Sequence, residues 1–151
     1  MSLFTRVSAF VVTSALLAFA VSAASAQTAA EAAAQWGLLG TWKLDCSKQA
    51  STNDPDLIFV VRQGRLIHDR NWGDGRDSSP VVSAGPSPDD GFRVRARFDS
   101  LSQTREWIYT RGSDGRIRSV SNRDVDTDKY TVRDGVITAN GNPTAWQTRC
   151  R

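Results

Sequence analysis

The chain has 151 residues, a formal net charge of +3, two cysteines and a single histidine. That length supports one domain built around one core. So small a net charge, with arginines interleaved among aspartates as in "HDRNWGDGRD", describes a solvated surface and excludes the electrostatic footprint of a nucleic-acid binder.

Residues 1–26 have the form of a signal peptide. Arg6 supplies a basic start, Val7 to Val21 are an uncharged apolar run, and Ala24-Ser25-Ala26 fits a small-x-small cleavage site. The run is short for a membrane span and lacks a basic stop-transfer patch. The expectation is a periplasmic or secreted protein with no integral span after cleavage. An oxidising compartment favours disulfides, and only Cys46 with Cys150 can pair within the chain. Spending both cysteines this way leaves none for thiol catalysis or zinc.

Residues 27–39 read as a short helix or tail. Thr28 and Glu31 are spaced as a capping box, alanines follow, and Gly37 and Gly40 stop the helix near Trp36. The domain proper spans 40–151, where every signal is strand. "TWKLDC" sets Trp42, Leu44 and Cys46 on one face and Thr41, Lys43 and Asp45 on the other. After the loop "KQASTNDPD" comes the apolar "LIFVV", then a turn at Gln63-Gly64. The return strand places Leu66, His68, Arg70 and Trp72 on one face and Asp69 on the other. "GDGRDSSP" reads as loop, and "VVSAGPSPDDG" as a short strand followed by a second loop.

"FRVRARF" alternates cleanly, with Phe92, Val94, Ala96 and Phe98 opposite Arg93, Arg95 and Arg97. "QTREWIYTR" sets Trp107 and Tyr109 opposite Glu106 and Ile108. "RIRSVSNRDV" is a further strand, a hairpin turns at Asp134-Gly135, and "TAWQTRC" ends the chain. Eight to ten short strands with regular turns predict an all-β fold, a single antiparallel up-and-down barrel. An outer-membrane barrel is the rival, and "RVRARF" speaks against it, because it would turn its arginines toward lipid or crowd them into a small lumen.

Gly40-Thr41-Trp42 has the G-x-W form that opens the first strand of lipocalins, and it follows a short helical segment as it does there. The chain thus resembles the lipocalins (calycin-type barrels), and its layout is also similar to that of small exported bacterial proteins. The lipocalin resemblance implies a barrel holding a small, mostly apolar ligand, with an arginine near the chain end, Arg149 or Arg151, across the tryptophan. The cysteines test that topology. Both end their predicted strands, and paired Cα atoms must come within about 7 Å. In an even-stranded barrel the first and last strands are antiparallel, so such ends meet only through an odd strand count, a bulge, or a loop position for one cysteine.

Catalysis is left open as a third reading, which would need a pocket joining His68 to a carboxylate. His68 lacks an oriented partner, because Asp69 faces away on a strand. No nucleophile elbow is present. Asp124, Asp126 and Asp128 open like a calcium loop, but Lys129 and Gly135 occupy the positions that need Gly and Glu, so the stretch reads as a turn. No cofactor and no metal are expected. The tryptophans Trp36, Trp42, Trp72, Trp107 and Trp146 read as core first, and all but Trp36 fall on predicted strands. The functional expectation is non-catalytic binding of a small amphipathic molecule, a lipid-like ligand or envelope component. Its candidate residues are Trp72, Phe98, Trp107, Tyr109, Arg95 and His68, with Phe59 alongside. Arg95 or Arg70 would hold a carboxylate or phosphate head. The alternative is a protein-interaction or inhibitor module with a filled core, working through its loops. Oligomeric state is left open.

Overall fold

The computed structural model describes residues 26–150. The leader expected over 1–26 lies, Ala26 apart, outside the described residues. One helix, α1 (Ala29–Trp36), precedes ten strands. These are β1 (Gly40–Lys43), β2 (Asp56–Arg62), β3 (Arg65–Asn71), β4 (Arg76–Pro86) and β5 (Phe92–Phe98). They continue as β6 (Gln103–Arg111), β7 (Ile117–Asp124), β8 (Tyr130–Arg133), β9 (Val136–Ile137) and β10 (Thr148–Cys150). All join one antiparallel sheet in the order β10-β1-β2-β3-β4-β5-β6-β7-β8-β9. The fold is all-β with a short N-terminal helix, as the residue pattern predicts. The sheet is not closed: β9 and β10 stand at opposite ends of the order and share no ladder. Gln147, just before β10, exchanges backbone hydrogen bonds of 2.7 and 3.0 Å with Ile117 at the start of β7.

The sheet curls strongly. Adjacent strands lie about 4.8 Å apart, so β3 and β6 would stand roughly 14 Å apart if flat. Yet His68 of β3 meets Trp107 of β6 with ring centroids 5.4 Å apart, and Phe59 of β2 meets Tyr109 of β6 at 6.0 Å. The apolar face therefore folds onto itself. Its core holds Trp42, Phe59, Leu66, Phe92, Val94, Phe98, Trp107, Tyr109 and Ile117, all buried. Each large side chain so buried contributes roughly 1.5–3 kcal/mol.

The strand β4 carries the curl from one half to the other. It pairs with β3 up to Pro80 and with β5 from Val81, with a bulge between Val81 and Ser83. The bulged residue, Val82, is thrown outward to 59% exposure. A bulge bends its strand and sharpens the local twist. The "GDGRDSSP" loop expected here is in truth short, because Arg76 to Pro80 already belong to β4. Pro80 stands at the last β3 pairing and just before the first β5 pairing, an end-of-ladder position where a missing donor is tolerated.

Helix α1 begins and ends as its sequence dictates. Thr28 Oγ1 accepts from the Glu31 N–H at 3.2 Å, and the Glu31 carboxylate accepts from the Thr28 N–H at 2.8 Å. Gly37 closes the helix at φ 77°. Ala32 and Ala33 are buried, and Trp36 stacks on Phe92 at 5.0 Å. Arg111, at the end of β6, donates to the Trp36 carbonyl at 2.7 Å and so supports the negative end of the helix. Its guanidinium lies 4.2 Å from the Trp36 ring centroid and 5.8 Å from that of Trp42. Arg149 pairs with Trp42 in the β1–β10 register, its side chain against Gly40.

The first strand is shorter than its alternation predicts. Asp54, itself buried, accepts from the N–H groups of Leu44 (2.8 Å) and Asp45 (3.1 Å) and draws the chain off the ladder after Lys43. Leu44 is left exposed. Lys43 is buried instead, its Nζ 3.0 Å from the Asp56 carboxylate and donating to the Lys48 carbonyl at 2.8 Å. Cys46 thereby falls in a turn and reaches Cys150 of β10, with Cα atoms 5.5 Å apart in a disulfide. Of the three routes by which the cysteines could meet, the chain uses the loop position. Trp72 and Trp146, expected on strands, lie just outside β3 and β10 and are half-buried.

Candidate functional site

The α1 end and the opposite end of the curled sheet differ in character. At the α1 end Leu38 is wholly buried and its carbonyl accepts from the Trp42 indole at 2.7 Å. The other end gathers the close of β3, the start of β4, the close of β5 and the start of β6. Arg70 and Arg105 meet there around a cavity of about 180 Å³, walled by Phe98, Leu101 and Trp107.

Arg70 follows Leu66 and His68 on the apolar face of β3, because side chains two residues apart share a face. Asp77 lies directly opposite on β4 and takes its Nε at 2.9 Å and its Nη2. The planar guanidinium lies 4.3 Å from the Phe98 ring centroid and 4.8 Å from that of Trp72. Such stacking suits a weakly hydrated, delocalised cation.

Arg105 shares its face of β6 with Trp107 and Tyr109. Its Nε and Nη2 donate to Asn122 Oδ1 at 3.1 and 2.6 Å, and Nη2 also donates to Thr131 Oγ1 at 2.7 Å. The second contact depends on an irregularity of register. Asn122 pairs with Val132 and Arg123 with Tyr130, so Thr131 is unpaired between them and its hydroxyl is re-aimed. Among the described residues no carboxylate oxygen lies within salt-bridge distance of Arg105. Asp124 is opposite it in the ladder, but its oxygens take the Asp126 N–H (3.0 Å) and the Thr127 hydroxyl (2.9 Å). Burial, reinforced by the nearby charge of Arg70, lowers the Arg105 pKa against the pull of Asp124. Held by neutral acceptors, it is a fixed positive charge facing the cavity.

Trp107 and Asn122 also wall a second cavity of about 240 Å³, which runs between Leu57, Tyr109, Val132 and the segment Thr144–Gln147. Beneath lies His68, 1% exposed, stacked on Phe59 at 4.5 Å with the edges of Trp107 and Phe98 against it. Neither ring nitrogen has a hydrogen-bond partner among the described residues. Burial first, and then the charge of Arg70, push its pKa down to about 3. Asp69 faces away and pairs with Arg62. The imidazole is a neutral aromatic plate with no carboxylate to orient it, an arrangement without general-base geometry.

Of the residues expected at a binding site, His68, Phe98, Trp107 and Tyr109 come together, and Trp72 joins them under Arg70. Arg95 does not. It projects from the other face, where with Arg123 it holds the buried Glu106 at 2.5 and 3.0 Å. Burial raises the Glu106 pKa, but its hydrogen bonds to Arg95 and Arg123 outweigh this and leave it below the ordinary value. Beside this cluster runs an outer groove of about 660 Å³ bounded by Arg93, Ile108, Val120, Tyr130 and Arg133. Asp128, the third aspartate of the calcium-like run, pairs with Arg123 at 2.6 Å. Arg105 escaped the sequence reading although its alternation with Trp107 was visible. Asn122 and Thr131 had no such signal, because a bulge brings them to it.

No protein-family model, curated protein or solved structure matches this chain. The site therefore stands on its own residues: aromatic walls and two arginines at a mouth.

Proposed function

We propose that this is an exported, periplasmic or secreted, non-catalytic binding protein of lipocalin-like build, its curled sheet serving as a barrel with an open mouth. Its ligand is a small amphipathic or apolar molecule, a lipid-like compound or an envelope component. The observation that carries this reading is Trp107, which stands between two cavities of about 180 and 240 Å³ with mixed apolar and polar walls. Concave, largely apolar sites with a few fixed polar groups are the usual form of small-ligand pockets. The test is titration of the mature protein with fatty acids and hydrophobic dyes. Tryptophan emission shifts and the melting temperature rises if the reading is right; flat responses to all of them overturn it.

A second reading has its own support. The centre of the curled sheet is packed solid by Phe59, His68, Phe98 and Trp107, and the larger groove lies outside, between Arg93 and Arg133. A protein-interaction or inhibitor module would use that outer face. Substituting Arg93 and Arg133 together would then abolish partner capture while leaving dye binding at Trp107 unchanged.

A further inference from the structure

We infer that the ligand is an acid, and that its carboxylate sits between the free Nη1 atoms of Arg70 and Arg105. This rests on the binding reading above and adds the chemical class. Each guanidinium has spent its Nε and Nη2 inside the protein, Arg70 on Asp77 and Arg105 on Asn122 and Thr131, and each keeps its Nη1 without a partner among the described residues. Two separate donor points match the two oxygens of one carboxylate.

Charge points the same way. The Arg70–Asp77 pair is neutral as a unit, and Arg105, with Asp124 nearby but spent on its own turn, has no salt-bridge partner among the described residues, so the mouth carries one unpaired positive charge. A monoanion cancels it. A phosphate dianion would bring a second negative charge for which the Arg70–Asp77 pair, already neutral, supplies no counter-charge.

The cavity sets the size of the body. About 180 Å³ holds on the order of six waters at liquid density. A short acyl chain or one ring fits against Phe98, Leu101 and Trp107. The neighbouring cavity shares Trp107 and Asn122 as walls, so a longer chain reaches it only if those side chains give way.

The experiment compares octanoate, octanamide and octyl phosphate, each titrated into the mature full-length chain and followed by tryptophan emission and calorimetry. The account expects octanoate to bind at least tenfold more tightly than octanamide and more tightly than octyl phosphate. Arg105→Gln should erase the preference for the acid over the amide. Asn122→Asp should do the same while keeping the arginine, by setting a carboxylate against it. Arg95→Gln, on the opposite face, should leave the preference intact. If octanamide binds as well as octanoate, the acid assignment fails and the binding reading stands. If octyl phosphate binds best, the carboxylate assignment fails. Should the folded protein bind none of the three, both readings fall together.

Discussion

Acidification tests the core through a single group. His68 is the only histidine in the chain, so its titration can be followed without ambiguity. In the unfolded chain its imidazole takes a proton near pH 6.5. In the folded protein burial among Phe59, Phe98 and Trp107 holds its pKa down to about 3. Between those values only the unfolded state binds the proton. The contribution of His68 is therefore complete above about pH 6.5, declines as pH falls, and stops declining below about pH 3. Each pH unit inside the window costs about 1.4 kcal/mol, so moving from pH 7 to pH 5 costs roughly 2 kcal/mol and the full span roughly 4–5. Asp69, Glu106 and Asp124 have lowered pKa values, so their losses begin only below the ordinary carboxylate range and leave the upper part of the window to His68. Urea unfolding of the wild type and His68→Leu at pH 7, 6 and 5 isolates the effect. The stability of the wild type relative to His68→Leu should fall by roughly 2 kcal/mol from pH 7 to pH 5, and the folded-state imidazole proton resonances should stay fixed over that range. Parallel stability curves for the two proteins, or a folded-state midpoint near 6.5, would refute the argument.

Further expectations concern parts of the fold remote from this ring. Replacing Cys46 and Cys150 by serine releases a constraint across a sequence separation of 104 and should cost roughly 4–5 kcal/mol. An unchanged melting temperature under reducing conditions contradicts that. Glu106→Gln leaves Arg95 and Arg123 facing a neutral group on the outer face. Both arginines are partly exposed, so the loss by chemical denaturation should be held to about 1–3 kcal/mol. In the wild type the Glu106 contribution is present above its unfolded pKa and disappears as pH falls through its lowered folded value, so the variant should resist acid better in that range. Trp42→Phe strands the buried Leu38 carbonyl and removes part of the core, for a loss of about 1–3 kcal/mol with the sheet retained by circular dichroism.

The features legible in the chain are those set by neighbours in sequence. The Thr28–Glu31 capping box, and the turns at Gln63-Gly64 and Asp134-Gly135 with φ positive at both residues, formed where local chemistry placed them. The alternation in "FRVRARF" survives intact because its two faces differ so sharply in polarity. What escaped was decided by distant partners. Asp54 cuts β1 short through two backbone hydrogen bonds, a contact that no periodicity in "TWKLDC" reveals. The end of the β5 ladder lets a proline-containing stretch join β4. The irregularity at Thr131 completes the hold on Arg105. The candidate site was accordingly half visible: its aromatic wall follows from strand alternation, whereas its arginine pair follows from the curl that brings β3 near β6.

The most direct measurement is native mass spectrometry of the protein taken from the cells that make it. The account predicts one small amphipathic acid per chain, lost in Arg105→Gln purified in the same way. Protein at its bare mass from its own cells, which also refuses every amphipathic acid added at high concentration, would contradict the account.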